Sequence, residues 1–179
     1  KALKLSRQSD SNLESYRQAL LLMKLGKGQE ALALLEKLGK AIDHPWIHLD
    51  IARAHEKNGD INLALQHTGK LLDLYPGYLP LTVVHAQMSI EHETDLQNII
   101  TLLKHQLQKD DIALVHKLLA AAYFRNGQVA AALESTGNQY LLDGYPELAS
   151  QQYQLALKMD DIDDSTRQRL QTKLAELKP

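Results

Sequence analysis

The sequence of 179 residues contains no cysteine. Without cysteine the chain has no disulfide framework, no thiolate metal site and no cysteine nucleophile. Aromatic residues are also scarce, at 5% of the sequence, whereas apolar residues together reach 44%. The core is therefore expected to consist mainly of leucine, alanine and isoleucine, and these side chains favour closely packed helices over a β-sandwich.

Blocks of one charge and long apolar runs are missing as well. The formal net charge is -2 and no block of basic residues occurs, which argues against nucleic acid as the main partner. The longest apolar run, residues 118–124, is far shorter than the roughly 20 residues that span a membrane. No secretory signal is visible and the first residue is Lys1. We interpret the chain as a soluble piece of a longer protein, so a missing signal says little about its location.

A glycine–alanine signal recurs in three segments, residues 24–31, 57–64 and 125–132. Gly59 follows Gly26 by 33 positions, and Gly127 follows Gly59 by 68, which is twice 34. A helix, a glycine turn and a second helix repeated about every 34 residues resemble the tetratricopeptide repeat (TPR). The resemblance predicts an all-α, right-handed solenoid of about four helix pairs with a C-terminal capping helix. Such solenoids usually serve as protein-binding surfaces.

The repeat period divides the chain into a linker at residues 1–12 and one superhelical domain at residues 13–179. Turns are expected at Gly26, Gly59, Gly127 and Gly144, because glycine readily adopts the left-handed backbone that ends a helix. The predicted units are 13–44, 45–77, 78–111 and 112–144, followed by an overlapping half-unit and cap at 145–179.

The third predicted unit departs from the repeat. Residues 79–90 and 96–107 have the pattern of its two helices. Residues 91–95 (EHETD) stand where the turn glycine is expected. We therefore predict a helix pair joined by an irregular turn.

The end of the chain departs from the repeat in a different way. Gly144 follows Gly127 by only 17 positions, so the helix near 128–142 is expected to belong to two successive units. The last helix has Leu170, Leu174 and Leu177 on one side and charged residues on its other faces. One narrow apolar stripe is expected of a cap that has a single neighbour.

Four segments carry a narrower resemblance: residues 16–20 (YRQAL), 45–52 (PWIHLDIA), 139–144 (QYLLDG) and 169–179 (RLQTKLAELKP). Their order resembles the C-terminal TPR domain of the β-barrel assembly-enhancing protease (BepA) family of Gram-negative bacteria. The resemblance implies the non-catalytic part of a periplasmic zinc metalloprotease and chaperone. It also implies protein partners in the outer-membrane barrel-assembly machinery and among its substrates. The family's HExxH zinc helix would lie upstream of Lys1.

Two alternatives stay open. One, from the same functional class, is a free-standing TPR adaptor or lipoprotein in secretion, pilus or envelope assembly, and the other, from a different class, is an enzyme. The sequence upstream of Lys1 would separate these interpretations. A zinc helix there favours the protease, and a lipobox favours the adaptor.

No motif in the sequence predicts a catalytic, cofactor-binding or metal-binding residue. His55-Glu56 and His92-Glu93 begin like the HExxH zinc motif, but neither has the second histidine. The acidic residues 160–164 lack the glycine and the terminal glutamate of a calcium loop, and we expect them to cap the last helix. We therefore expect no enzyme activity and no cofactor in this chain.

Side chains on the first helix of each unit are expected to line the concave groove of the solenoid. The candidates are Tyr16, Leu20, Leu49, Arg53, Gln87, Lys117, Phe124 and Asn138, with Val83, Ala121 and Glu134 beside them. Arg53 and Lys117 favour an acidic or carboxylate-bearing partner segment. Tyr16, Leu49 and Phe124 are expected to supply apolar contact. Binding through the convex face stays open as an alternative, and the sequence does not determine the oligomeric state.

Overall fold

A computed structural model describes the backbone of residues 2–160 and 162–177, with side chains from residue 10 onward. Within these residues the chain forms ten α-helices and no β-strand, so the predicted all-α class is confirmed. The helices are α1 (Ala2–Lys24), α2 (Gly28–Ala41), α3 (Pro45–Lys57), α4 (Ile61–Leu74), α5 (Leu79–Glu91), α6 (Leu96–Leu107), α7 (Ala113–Arg125), α8 (Val129–Leu142), α9 (Pro146–Ala156) and α10 (Asp164–Glu176).

The turns between helices follow from the glycine signal. Gly26, Gly59, Gly127 and Gly144 have positive φ angles of 75°, 85°, 75° and 83°, a region that disfavours residues with a Cβ atom. Each of these glycines lies two positions after the end of a helix, so the four predicted turns are confirmed. The two predicted helices of the third unit match α5 and α6 to within one residue at each end.

The helices group into two compact units, Lys1–Met88 and Ser89–Pro179. The first unit contains α1 to α4 and most of α5, and the second contains α6 to α10. The extent of the repeat domain, 13–179, and its unit boundaries stay predictions.

In the first unit α3 contributes to two apolar clusters, because both of its sides are apolar. Ile47 and Ile51 pack with residues of α1 and α2, and Leu49 and Ala52 pack with residues of α4 and α5. Ala64 on α4 is fully buried in the second of these clusters. Its small side chain lets α4 lie close to α3, as the repeated alanine predicts.

The segment predicted to be a linker is helical where the structure describes it. Residues 2–12 form the start of α1, which begins at Ala2, and Lys1 lies outside the described residues. The segment contains no proline or glycine to interrupt a helix, and its alanine, leucine, lysine, arginine and glutamine are good helix formers. The linker prediction was based on polar composition, which does not distinguish a loop from an exposed helix.

The turn that lacks glycine places two other residues in the left-handed conformation. Glu93 and Asp95 have φ angles of 51° and 53°, a region that costs a residue with a Cβ atom roughly 1–2 kcal/mol. The Thr94 N–H donates to the Ser89 carbonyl at 2.8 Å, and the Arg125 guanidinium pairs with the Glu93 carboxylate. The Thr94 hydrogen bond closes the turn, whereas the ion pair, whose two side chains are at least half exposed, contributes little to its stability.

In the second unit α8 packs against both α7 and α9. Gly137 on α8 faces the ring of Tyr153 on α9, and a Cβ atom at position 137 would overlap the Cε1 atom of that ring. Tyr153 is fully buried. The missing side chain of Gly137 is therefore what lets this ring fit between the two helices.

The capping helix α10 packs on α9. Leu170 is fully buried, and Leu174 and Leu177 are partly buried against the cluster that includes Tyr153. These are the three leucines of the predicted apolar stripe. The structure thus confirms the capping helix and the side by which it packs.

The N-cap of α10 comes from the acidic segment that precedes it. The Asp163 carboxylate accepts a hydrogen bond from the Thr166 N–H at 2.6 Å. That backbone hydrogen bond is the main cause that lowers the pKa of Asp163. The predicted capping role is confirmed at Asp163, whereas position 161 of the same segment lies outside the described residues.

Candidate functional site

The candidate site consists of the side chains on the first helix of each repeat that are predicted to line the groove. α3 in the first unit and α7 in the second correspond at an offset of 68 residues, as their turn glycines Gly59 and Gly127 do. Leu49 on α3 therefore corresponds to Lys117 on α7. Arg53 corresponds in the same way to Ala121.

A buried carboxylate engages two predicted groove residues of the first unit. The Tyr16 hydroxyl donates to Asp50 Oδ2 at 2.7 Å, and the Arg53 guanidinium donates to Asp50 Oδ1 at 3.0 Å. The Asp50 side chain is 8% exposed. Burial, followed by the hydrogen bond to Asp50, raises the pKa of Tyr16 to about 12. Both Tyr16 and Arg53 are thus bound within the protein, and Tyr16 links α1 to α3.

Leu49 is a core residue, which corrects its prediction as a groove residue. Its side chain is fully buried in the cluster that α3 shares with α5, where Leu81, Val84 and Met88 pack. The repeat position predicts only the direction in which a side chain leaves α3. Bulky residues of α5 cover that direction, so the Leu49 side chain is not accessible to a partner.

Two other predicted groove residues of the first unit are accessible. Leu20 on α1 is 37% exposed, and Gln87 on α5 is exposed as well. Val83, beside Gln87, is half-buried. Contact of Leu20 or Gln87 with a partner stays a prediction.

In the second unit four side chains form one strip along α7, which we call the α7 strip: Leu114, Lys117, Ala121 and Phe124. Steps of three and four residues place them on one side of the helix. Leu114 is 42% exposed and Phe124 is 65% exposed. Lys117 is exposed, and its ammonium group has no hydrogen bond or ion pair with any residue that the structure describes. A cation thus lies between two exposed apolar side chains.

Asn138 is half-buried and engaged within the protein, and its contact with a partner stays a prediction. It lies on α8, where its Oδ1 atom accepts a hydrogen bond from Lys173 Nζ at 2.7 Å. The same oxygen accepts a second hydrogen bond from the Tyr153 hydroxyl at 2.8 Å. Lys173 of α10 therefore binds the Oδ1 atom of Asn138, a side chain that was predicted to contact a partner.

Glu134, one helical turn before Asn138, receives three hydrogen bonds from α10. Arg169 Nε and Nη2 each donate to one carboxylate oxygen at 2.8 Å, and Lys173 Nζ donates at 2.9 Å. The Glu134 side chain is only 12% exposed. Together Glu134, Asn138, Tyr153, Arg169 and Lys173 form what we call the α10 clamp.

The α10 clamp contains an ion pair whose two partners stabilise each other's charge. Burial opposes ionisation of Glu134, but the hydrogen bonds from Arg169 and Lys173 outweigh it and lower the pKa of that carboxyl. The hydrogen bond to Glu134 raises the pKa of Arg169 in turn. Burial raises the pKa of Tyr153 to about 12, so its hydroxyl remains a donor to Asn138. Glu134 and Arg169 therefore both remain charged at neutral pH.

No metal site forms among the described residues, which contain no group of three or more histidine, cysteine, aspartate or glutamate side chains that could hold an ion. His55 lies near the end of α3 and His92 lies in the turn after α5. Neither is followed by a histidine four positions later, since Gly59 and Leu96 stand there, so neither completes the HExxH zinc motif. None of the helices in the described part of the chain is long and apolar enough to cross a membrane.

Sequence reasoning missed Asp50, which engages two groove candidates, and it named Glu134 as a groove residue without its partners on α10. Asp50 lies between the buried residues Leu49 and Ile51, and Glu134 precedes the buried residue Ser135. A carboxylate inside a buried stretch of helix needs a charged or hydrogen-bonding partner. That signal was present in the sequence, although it does not identify the partner.

No protein-family model matches the chain, and no curated protein matches it either. Among solved structures, TTC0263, a thermophilic TPR protein in Thermus thermophilus, is 22% identical with a TM-score of 0.56, and the match covers 92% of this chain and 99% of that one. MamA (41 to the end) from Desulfovibrio magneticus RS-1 is 19% identical with a TM-score of 0.66, and the match covers 94% of this chain and 95% of that one. At these identities the likeness shows the fold alone, which is that of a TPR solenoid.

Proposed function

We propose that this chain is a protein-interaction module that binds a partner segment at the α7 strip. The observation that carries the proposal is Phe124, which is 65% exposed and lies on the same side of α7 as the exposed cation of Lys117. Truncating an aromatic anchor of an interface typically costs about 2 kcal/mol or more. The TPR-type fold supports a binding role, since helical solenoids present extended binding surfaces.

The composition of the α7 strip favours one kind of partner segment. Leu114 and Phe124 offer apolar contact on either side of Lys117, whose ammonium has no counter-charge among the described residues. An acidic segment with apolar side chains complements both features. Attraction between exposed charges weakens with salt, so binding is expected to weaken as ionic strength rises.

We further propose a periplasmic setting, in which this chain is the non-catalytic TPR part of a zinc metalloprotease and chaperone that assists outer-membrane protein assembly. The support is the order of residues 16–20, 45–52, 139–144 and 169–179, which resembles the TPR domain of that protease family. The partners would be the barrel-assembly machinery and its substrates. Zinc and peptidase chemistry would belong to a separate domain.

Capture of purified barrel-assembly complexes by the immobilised chain tests both proposals. Phe124→Ala is expected to weaken capture about tenfold or more. Lys117→Glu is expected to lose more capture at low salt than at high salt. Two matched controls, Leu74→Ala on α4, where Leu74 is 70% exposed, and Lys37→Glu on α2, should capture as well as the wild type does.

The outcomes separate the binding surface from the cellular setting. Circular dichroism must first show that each variant melts like the wild type. Equal capture by all five proteins would reject the α7 strip as the binding surface. If the wild type captures no barrel-assembly complex, the periplasmic setting is rejected, and titration with an acidic, apolar peptide then tests the α7 strip by itself.

A further inference from the structure

Two proline–aromatic motifs of the first unit meet in space. Residues 44–46 (HPW) begin α3, and residues 75–78 (YPGY) connect α4 to α5. Gly77 has a φ angle of 77°, and this left-handed turn brings Tyr78 back towards Trp46. The two rings meet edge to face, with centroids 6.3 Å apart and planes at 80°.

These motifs line an open pocket of about 500 Å³, which we call the aromatic pocket; its lining residues are His44, Pro45, Trp46, Tyr75, Pro76, Gly77 and Tyr78. Trp46 is the only tryptophan in the sequence, and 43% of its surface is exposed. Its indole N–H has no hydrogen bond with any residue in the described part of the chain. The pocket thus presents a large apolar surface together with an unused donor.

The lining decides which chemical class of ligand fits. Among the residues that the structure describes, no aspartate, glutamate, lysine or arginine lines the aromatic pocket. A phosphate or a carboxylate would therefore lose hydration there without gaining a counter-charge. An ammonium group would gain only cation–π contact with the rings, and the tetramethylammonium titration below tests it separately. The ligand class that fits is neutral, has flat apolar surfaces and offers a hydrogen-bond acceptor.

A proline-rich segment has these properties. In the polyproline II conformation it presents apolar rings, and its backbone carbonyls have no internal hydrogen bonds, so they are free to accept one. The conformation is already formed before binding, which lowers the entropic cost of docking into an aromatic-lined groove. One turn of such a helix takes three residues over about 9 Å, which suits a short local pocket.

We propose that the aromatic pocket binds a proline-rich partner segment in the polyproline II conformation, with the Trp46 indole N–H donating to a ligand carbonyl. The rings of Trp46 and Tyr78 form its two walls. This binding site lies in the first unit and shares no residue with the α7 strip. It is therefore a second recognition site that is independent of the function proposed for that strip.

Trp46 reports on its own site, because the chain has one tryptophan. The experiment titrates the full chain with a capped, uncharged polyproline peptide and records tryptophan emission. A saturable change in emission is expected with polyproline. No such change is expected with a capped glycine–serine peptide of equal length, which is flexible and lacks the rings.

Variants assign the signal to the aromatic pocket. Tyr78→Ala removes one wall but keeps the reporter, and it should weaken binding about tenfold or more. If Tyr78→Ala does not fold, Tyr78→Leu keeps apolar bulk without the flat ring and should weaken binding in the same direction. Tyr145→Ala in the second unit, where Tyr145 is 55% exposed, is the matched control and should leave the dissociation constant unchanged. Phe124→Ala should also leave it unchanged.

Three results of the polyproline titration and its controls would overturn the proposal. They are the absence of a saturable change at millimolar polyproline, an equal response to the glycine–serine peptide, and an unchanged dissociation constant in the folded Tyr78 variant. Saturable binding of tetramethylammonium or of an acidic peptide in place of polyproline would also overturn it, since the pocket would then recognise a charged ligand.

Discussion

α3 and α7 occupy corresponding places in the repeat, but their corresponding side chains differ in accessibility. On α3, Leu49 is fully buried and Arg53 is paired with the buried carboxylate of Asp50. On α7, the residue that corresponds to Leu49 is the exposed Lys117, and Phe124 further along the helix is 65% exposed. The comparison shows that the repeat period determines the direction of a side chain, whereas neighbouring helices determine whether it is accessible.

The two units also differ in where their polar contacts lie. The first unit places a carboxylate, Asp50, on the first-helix face and bonds it to Tyr16 across to α1. The second unit places its carboxylate, Glu134, on the second helix α8 and bonds it to Arg169 and Lys173 of the cap. As a result, side chains of α3 make contacts within the first unit, whereas Leu114, Lys117 and Phe124 on α7 of the second unit stay exposed.

The largest expected effect is a difference in the free energy of unfolding lost on truncating the corresponding residues Leu49 and Lys117. Leu49→Ala should lower the free energy of unfolding by about 2–5 kcal/mol, because it leaves a cavity in a packed core. Lys117→Ala should change it by no more than about 0.5 kcal/mol, as exposed substitutions usually do. Urea denaturation followed by far-ultraviolet dichroism measures both, and Trp46 emission reports the first unit separately. Similar losses in the two variants would mean that the two faces are equally covered.

Two helix glycines provide the next comparison. Gly137→Ala should destabilise the second unit by about 1–3 kcal/mol, because the new methyl group overlaps the buried Tyr153 ring. Gly69→Ala, in α4 of the first unit, meets no atom within 4 Å and should stabilise that unit by roughly 0.5–1 kcal/mol through better helix propensity. Thermal melts followed by dichroism measure both shifts. A stabilised Gly137→Ala would show that α8 and α9 are not packed closely at this point.

The local pattern of the sequence was sufficient to predict most of the helices and the turns that contain glycine. The glycine period located the turns at Gly26, Gly59, Gly127 and Gly144, because a left-handed backbone is a local requirement of the chain. The missing glycine marked residues 91–95 as an irregular turn, but it did not identify Glu93 and Asp95 as the residues with positive φ. Reasoning from the local pattern also missed the helix at residues 2–12, since a polar segment without proline or glycine suits an exposed helix as well as a linker.

The accessibility of the site residues could not be predicted, because it depends on partners distant in sequence. The hydroxyl of Tyr16 meets a carboxylate 34 positions away, and Glu134 meets Arg169 at a separation of 35. Nothing in a local period identifies such pairs. The aromatic pocket was missed for a related reason: the glycine period does not show that the rings of Trp46 and Tyr78 meet in space.

A third prediction concerns the cohesion of the second unit. Glu134→Gln removes the charge that Arg169 and Lys173 bind and should destabilise the α10 helix by about 1–2 kcal/mol, since hydrogen bonds to charged groups contribute on that scale. Faster amide hydrogen exchange in α10 measures the loss. Glu176→Gln, an exposed residue of the same helix, is the control and should leave exchange unchanged.

The pH dependence of the same contact has a defined sign. The pKa of Glu134 is lowered in the folded protein, so the unfolded chain binds the proton more tightly. The stabilisation is fully present above the ordinary glutamate pKa and is lost as pH falls through the lowered value. Glu134→Gln should therefore remove part of the acid sensitivity of α10. Unchanged acid sensitivity in this variant would mean that the α10 clamp does not depend on the Glu134 charge.

The smallest expected effect is a difference between the two units in the pH at which their stability begins to fall. Burial, followed by the charges of His48, His55 and Lys70, lowers the pKa of His67. The unfolded chain therefore takes up a proton that the folded first unit resists, and stability falls as pH drops below the ordinary histidine value of about 6.5. This loss in the first unit begins at a higher pH than the loss expected from Glu134 in the second.

His67→Gln should reduce the difference between urea midpoints measured by Trp46 emission at about one pH unit above and one below the ordinary histidine pKa. The matched control is His105→Gln on α6 of the second unit, where His105 is exposed, and it should leave that difference unchanged. If His67→Gln and the wild type weaken equally on acidification, His67 is not the group that couples the first unit to pH. The two units would then have to be distinguished by Glu134 alone.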